Sequence, residues 1–224
     1  MSGPGMRLVA VLVGQPRTVG ARDAADPMAR EFRSAIWKSP VAGAVRCGRL
    51  GLEGDAVADK RHHGGPDQAV LAYGFDHYAD WRAEGTLGDV GPGAFGENLC
   101  IAGAREDDVC VGDVYAVGPV RVQVTKPRQP CNTLARRHQR ATLVREVFRN
   151  GRYGWYLRVL EEGLVEAGQA VTLLERPSPD WPVRRVQDVM AERASRPDEA
   201  MDLARCAGLA DDWRDRLLAG TQGT

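Results

Sequence analysis

The chain has 224 residues, 43% hydrophobic and 27% charged, enough for one main core and a small appendage. Thirty basic and thirty acidic residues cancel, which removes the electrostatic footprint of a general nucleic-acid binder. No basic segment followed by an apolar run opens the sequence, and no stretch is long and apolar enough to span a bilayer; a soluble protein of the cytoplasm, with no membrane partner, is the expectation.

Short segments punctuated by Gly, Pro and Asp dominate to about residue 175. Residues 8–13 are apolar and β-branched and end at Gly14. Residues 34–38 read as a strand stopped by Ser39-Pro40, and residues 68–73 as another, launched by Gly64-Gly65-Pro66-Asp67. Residues 113–117 and 120–125 flank Gly118-Pro119, a tight reversal; residues 153–160 and 170–174 complete the set. Many short strands at uneven spacing predict a mainly β barrel or sandwich rather than a βαβ fold. Helices interrupt at 75–82, with Phe75, Tyr78 and Trp81 on one face, and again after Cys131, where Leu143, Val144, Val147 and Phe148 recur at helical spacing.

The text changes after Arg176. Pro177, Pro179 and Pro182 stiffen a connector, and three short amphipathic helices are predicted beyond it. Val183, Val186, Val189 and Met190 mark the first; Ala200, Leu203 and Ala204 the second; Trp213, Leu217 and Leu218 the third. Such short helices are marginal alone and must pack on something. Glu192, Asp198, Glu199, Asp211 and Asp212 argue against their reading DNA phosphates. The expected division is a β domain over residues 1–176 and a three-helix appendage over residues 177–224.

Five cysteines, at 47, 100, 110, 131 and 206, include no Cys-x-x-Cys pair, which disfavours zinc knuckles and four-cysteine iron–sulfur ligation. Cys100 and Cys110 flank strand-like text and read as core. Cys131 differs: it follows Pro127 and Pro130, with Lys126 and Arg128 close in sequence, at a strand end just before a helical pattern. Cations and helix N-termini both favour thiolate over thiol, so Cys131 is a candidate metal ligand or nucleophile; a buried structural thiol is the alternative.

Two further segments carry polar groups in irregular backbone. Residues 55–67 combine Asp55, Asp59, His62, His63, Gly64, Gly65 and Asp67. Adjacent histidines on extended chain face opposite ways, and the glycines permit a backbone nest for an anion, or merely a solvated turn. In residues 91–99, Glu97 and Asn98 either meet a ligand's polar edge or satisfy local amides.

Taken together and in order, these segments resemble the MOSC-domain proteins, more narrowly the YiiM-like group, in which a MOSC barrel precedes a three-helix domain. The resemblance rests on Gly54-Asp55, Asp59 and His63-Gly64-Gly65; on Ala69-Val70 with Tyr73 and Trp81; on Gly96-Glu97-Asn98-Leu99; on Pro127-Arg128-Gln129-Pro130-Cys131; and on Gly154-Trp155-Tyr156 with Val159-Leu160. It implies a MOSC-type β-barrel with a few flanking helices that binds molybdenum cofactor, with Cys131 as metal ligand. It also implies reduction of N-hydroxylated compounds, including N-hydroxylated nucleobases, to amines. The residues are compatible with it: a cofactor phosphate suits cationic Arg128 and Lys38 and a backbone nest at Gly64-Gly65, Asn98 and His63 are further candidate cofactor-binding residues, and His63, with an ordinary pKa near neutrality, is a candidate proton donor in catalysis beside Cys131. No pyridoxal phosphate is expected. The absence of an iron–sulfur cysteine set implies a separate electron-donor protein; a homodimer is allowed. Gln68 and Lys126 depart from the family's pattern, the latter adding a charge expected beside Cys131. A non-catalytic carrier of the cofactor or its sulfur, and a Cys131–histidine nucleophile without metal, are the alternatives.

Overall fold

The structure, a computed structural model, describes residues 5–59 and 64–220. The first strands are β1 (Arg7–Val13), β2 (Arg17–Val19), β3 (Phe32–Ser34), β4 (Ser39–Pro40), β5 (Val45–Gly48), β6 (Gly51–Leu52) and β7 (Val70–Gly74). Helix α1 (His77–Ala83) leads to β8 (Leu99–Ala102), β9 (Val114–Val117) and β10 (Val120–Pro127). Helices α2 (Asn132–Arg137) and α3 (Leu143–Asn150) precede β11 (Trp155–Glu161), β12 (Gly163–Val165) and β13 (Val171–Glu175). Helices α4 (Val183–Glu192), α5 (Pro197–Ala204) and α6 (Asp211–Gly220) follow.

The main sheet has eight strands in the order β13-β9-β10-β11-β7-β8-β1-β4, antiparallel within the body of the sheet except for the parallel pair β7–β8. It curls until Arg7 bridges Ala170 and the Leu8 amide donates to the Gln169 carbonyl at 2.9 Å. The mainly β expectation holds; a closed barrel ladder does not form among the described residues, the flanks meeting through that local contact. Period-two alternation sets the inner face. Val120, Val122 and Val124 of β10, and Trp155, Leu157 and Val159 of β11, are buried. The void enclosed beside Trp155 and Leu157 is only about 10 Å³, at most one water, so the sheet interior is packed side chains and holds no ligand.

Two expected boundaries move. The strand predicted over 34–38 ends at Ser34, because the Ile36 carbonyl is taken by the Arg137 guanidinium from α2 instead of a strand partner. Residues 66–68 form a 3₁₀ turn, so the next strand begins at Val70. The three C-terminal helices bury Val183, Val186, Val189 and Met190, then Ala200, Leu203 and Ala204, then Trp213 and Leu217. Leu218 is exposed rather than part of that face. Helix α4 packs on β10, and the apolar cluster runs without interruption from the sheet into the helices. No helix among the described residues is long and apolar enough to cross a membrane.

Candidate functional site

Tyr156, one residue from the inward-facing Trp155, points to the other face of β11 and lines a cavity of about 650 Å³. The walls come from separate parts of the chain: the irregular 35–38 segment, residues 55–59, the Gly64-Gly65 turn, the 95–98 loop, and the run from Arg128 to Thr133.

Lys38 enters this cavity from the segment after β3. Gly14, at the end of β1, lets that segment pass close: a Cβ there would lie 2.6 Å from the Trp37 carbonyl and 3.2 Å from Lys38 Cγ. The Lys38 ammonium donates to both carboxylate oxygens of Asp55. Asp55 also accepts from the Gly14 amide and from Asn98 Nδ2, each at 2.8 Å. Three donor groups thus make four hydrogen bonds to one carboxylate. Burial holds the Lys38 ammonium below its ordinary value, with Asp55 pulling the other way. Asn98 is equally committed, since its Oδ1 accepts from the Leu71 amide at 3.1 Å and its Nδ2 also reaches the Leu12 carbonyl. Its side chain ties β1, β7 and Asp55 together, so Asn98 positions the cavity wall. Glu97 beside it is fully buried and accepts from the Tyr78 hydroxyl and the Gly93 and Phe95 amides, the local-amide alternative.

Arg128 is different. It is 5% exposed and takes part in no ion pair among the described residues; Nη2 donates to the Phe95 carbonyl at 3.3 Å, while buried Nη1 has no hydrogen-bond partner. Its main chain is fixed by the Gly154 carbonyl at 3.0 Å. A buried guanidinium at a cavity wall, unpaired with any carboxylate among the described residues, is a strong pull on an anion.

Cys131 stands at the N-cap of α2 with extended backbone, φ −123° and ψ 174°, and is half-buried at the cavity wall. The other four cysteines are buried. Burial, then Glu162, pushes the Cys47 thiol up to about 11, and burial likewise raises Cys100, Cys110 and Cys206. Tyr156 feels both Arg128 and Cys131; burial pushes its phenol up, with Arg128 pulling back. Gly64 and Gly65 also line the cavity, at φ of 86° and 85°, backbone that glycine alone adopts readily.

Cys131, Arg128, Lys38, Gly64, Gly65 and Asn98 therefore surround one space, while His62 and His63 lie outside the described residues. Lys126 does not add its charge beside Cys131. It is 4% exposed and donates to both oxygens of Asp212 on α6 at 2.7 Å. The register shift between Val124 and Lys126 lies where the strand turns this side chain to the helices. Asp55 and Tyr156 were not among the predicted site residues. The strand alternation around Trp155 signals Tyr156, whereas nothing local announces that Asp55 pairs with Lys38.

Among the described residues no cluster of three His, Cys, Asp or Glu side chains is placed to hold a metal ion. A metal here would need a carrier bringing most of its own ligands, with one protein thiolate beside it. Half-buried Cys131 and the Arg128 guanidinium at the same wall, with no carboxylate partner among the described residues, fit such an anionic, metal-bearing group.

The MOSC domain family matches residues 59–172. The chain is 37% identical over 196 residues to the uncharacterized protein YflK of Bacillus subtilis, covering 84% of this chain and 88% of YflK. It is 42% identical over 168 residues to a protein named reductase from Gibberella moniliformis, covering 73% of this chain but only 29% of that relative's length. The crystal structure of YiiM from Geobacillus stearothermophilus superposes with a TM-score of 0.80 at 32% identity, covering 96% of this chain and 99% of that one. The chain belongs to the MOSC-domain family and, within it, to the YiiM-like proteins.

Proposed function

We propose that this protein is a molybdenum-cofactor-dependent oxidoreductase that reduces N-hydroxylated compounds to amines. The observation that carries this is the pairing, at the wall of one cavity, of half-buried Cys131 with Arg128, a buried cation that has no carboxylate partner among the described residues. Cys131 would hold the metal and Arg128 an anionic group of the cofactor, with Gly64 and Gly65 giving it bare backbone to lie against. When bound, the cofactor supplies two-electron exchange. The chain itself supplies the enclosure. Phe95 and Gly154 fix Arg128, the Asp55–Asn98 network fixes the facing wall, and the cavity is roomy enough for a small substrate beside its cofactor. Electrons would come from a separate donor protein. The relative named reductase supports redox chemistry in the family.

The test is turnover. Protein made in a cofactor-competent host is assayed with an N-hydroxylated nucleobase and a reduced viologen, alongside Cys131→Ala. Amine formation by wild type, lost by at least about 100-fold in the variant, is expected. Cofactor bound by wild type without amine formation would assign the chain a carrier role instead.

A further inference from the structure

The charge arrangement separates Lys38 from Arg128, which share the cavity with Arg33. Arg128 has no carboxylate partner among the described residues, whereas Lys38 is bound to both oxygens of an Asp55 already accepting from Gly14 and Asn98. Asp55 has no oxygen left to act as a base, and it cancels the charge Lys38 would offer an anion. An ammonium has three N–H donors, and two point at Asp55. That leaves one ammonium proton that Asp55 does not engage, on a side chain lining the cavity.

From this we infer that Lys38 is the proton donor to the departing oxygen when the N–O bond of the substrate is reduced, and not a phosphate-binding residue. The inference rests on the reduction proposed above. In that reaction the N–O bond of R–NH–OH breaks and the nitrogen is reduced by two electrons, drawn from a reduced flavoprotein or, in the assay, a reduced viologen. The oxygen leaves as water with one proton from Lys38, a second proton from solvent reaches the nitrogen, and solvent reprotonates Lys38. Asp55 keeps the ammonium in place throughout.

The groups facing Lys38 fit this assignment. Asp55 is its ion-pair partner and Glu97 lies within electrostatic reach, both favouring the charged form. Arg33, Arg128, Asp59, Cys131 and Tyr156 face the same cavity. Burial outweighs the two carboxylates and keeps the ammonium more acidic than an exposed lysine, as proton donation near neutral pH requires.

The experiment compares wild type with Lys38→Arg, the charge-neutral pair Lys38→Met/Asp55→Asn, and His63→Gln. Cofactor content, kcat against pH, and ¹⁵N-lysine side-chain titration are read on each. Only Lys38, Lys60 and Lys126 give signals, so Lys38→Arg assigns the Lys38 resonance. We expect Lys38→Arg to keep cofactor within about twofold of wild type, while kcat falls about 100-fold or more in both Lys38 variants. The alkaline fall in kcat should disappear from both, and the Lys38 signal in wild type should titrate below the ordinary lysine value. Loss of cofactor in step with activity would overturn the inference and return Lys38 to cofactor binding. So would full activity in Lys38→Arg, or transfer of the pH limb to His63→Gln. A wild type that neither binds cofactor nor turns over sinks the proposed reduction itself, a result distinct from all of these.

Discussion

Lys126 and Asp212 form an ion pair between the end of strand β10 and helix α6, with the lysine 5% and the aspartate 54% exposed at their side chains. The two ends are unequal, so the two deletions should be unequal. Asp212→Ala leaves a buried ammonium without its counter-charge and should cost about 1–3 kcal/mol in urea unfolding. Lys126→Met removes the buried charge and returns an accessible carboxylate to water, within about 1 kcal/mol of wild type. Neither should change cofactor content; a drop with Lys126→Met would put the lysine back beside Cys131.

Gly154 holds Arg128 from behind. Its amide donates to Glu106 at 2.8 Å, its carbonyl accepts from the Arg128 amide, and at φ 79° a Cβ would lie 2.5 Å from the Ala72 carbonyl. Gly154→Ala should destabilise by about 2–4 kcal/mol and weaken cofactor retention together, read by thermal unfolding and metal content.

The cysteines give a reactivity and a pH signature. In native protein one thiol, Cys131, should alkylate rapidly at pH 8, and all five only after denaturation, as mass spectrometry will count. Folded Cys47 keeps its proton to about 11, against an ordinary value of 9.0. Its contribution to stability is therefore complete below pH 9 and is lost as pH rises toward 11. The slope is at most about 1.4 kcal/mol per pH unit for one such group. Cys47→Ala should make the alkaline fall in unfolding free energy shallower, whatever its cost near neutrality.

Much of this site was legible before the fold was known, and the rest failed for a common reason. The prolines before Cys131 act within a few residues, and the alternation that buries Trp155 and turns out Tyr156 has a two-residue period, so both can be read along the chain. Lys126 finds its partner 86 residues away, Lys38 and Asn98 meet at Asp55, and the carbonyl of Ile36 is claimed by Arg137 from 101 residues downstream. Those pairings are set by how the curled sheet brings distant loops together, and no local pattern records them. Hence the sequence reads as a strand over 34–38 and as a free charge beside Cys131, where the structure has an irregular segment and a helix anchor.

Cys131 as the protein's ligand to a metal carried by an anionic cofactor is the claim on which the proposed function depends most. The direct measurement is molybdenum per chain, by elemental analysis of freshly purified wild type, Cys131→Ala and Arg128→Met from a cofactor-competent host. The account predicts about one molybdenum per wild-type chain, near none in Cys131→Ala, and a marked fall in Arg128→Met. A metal-free wild type, or a Cys131→Ala protein as fully loaded as its parent, would contradict it.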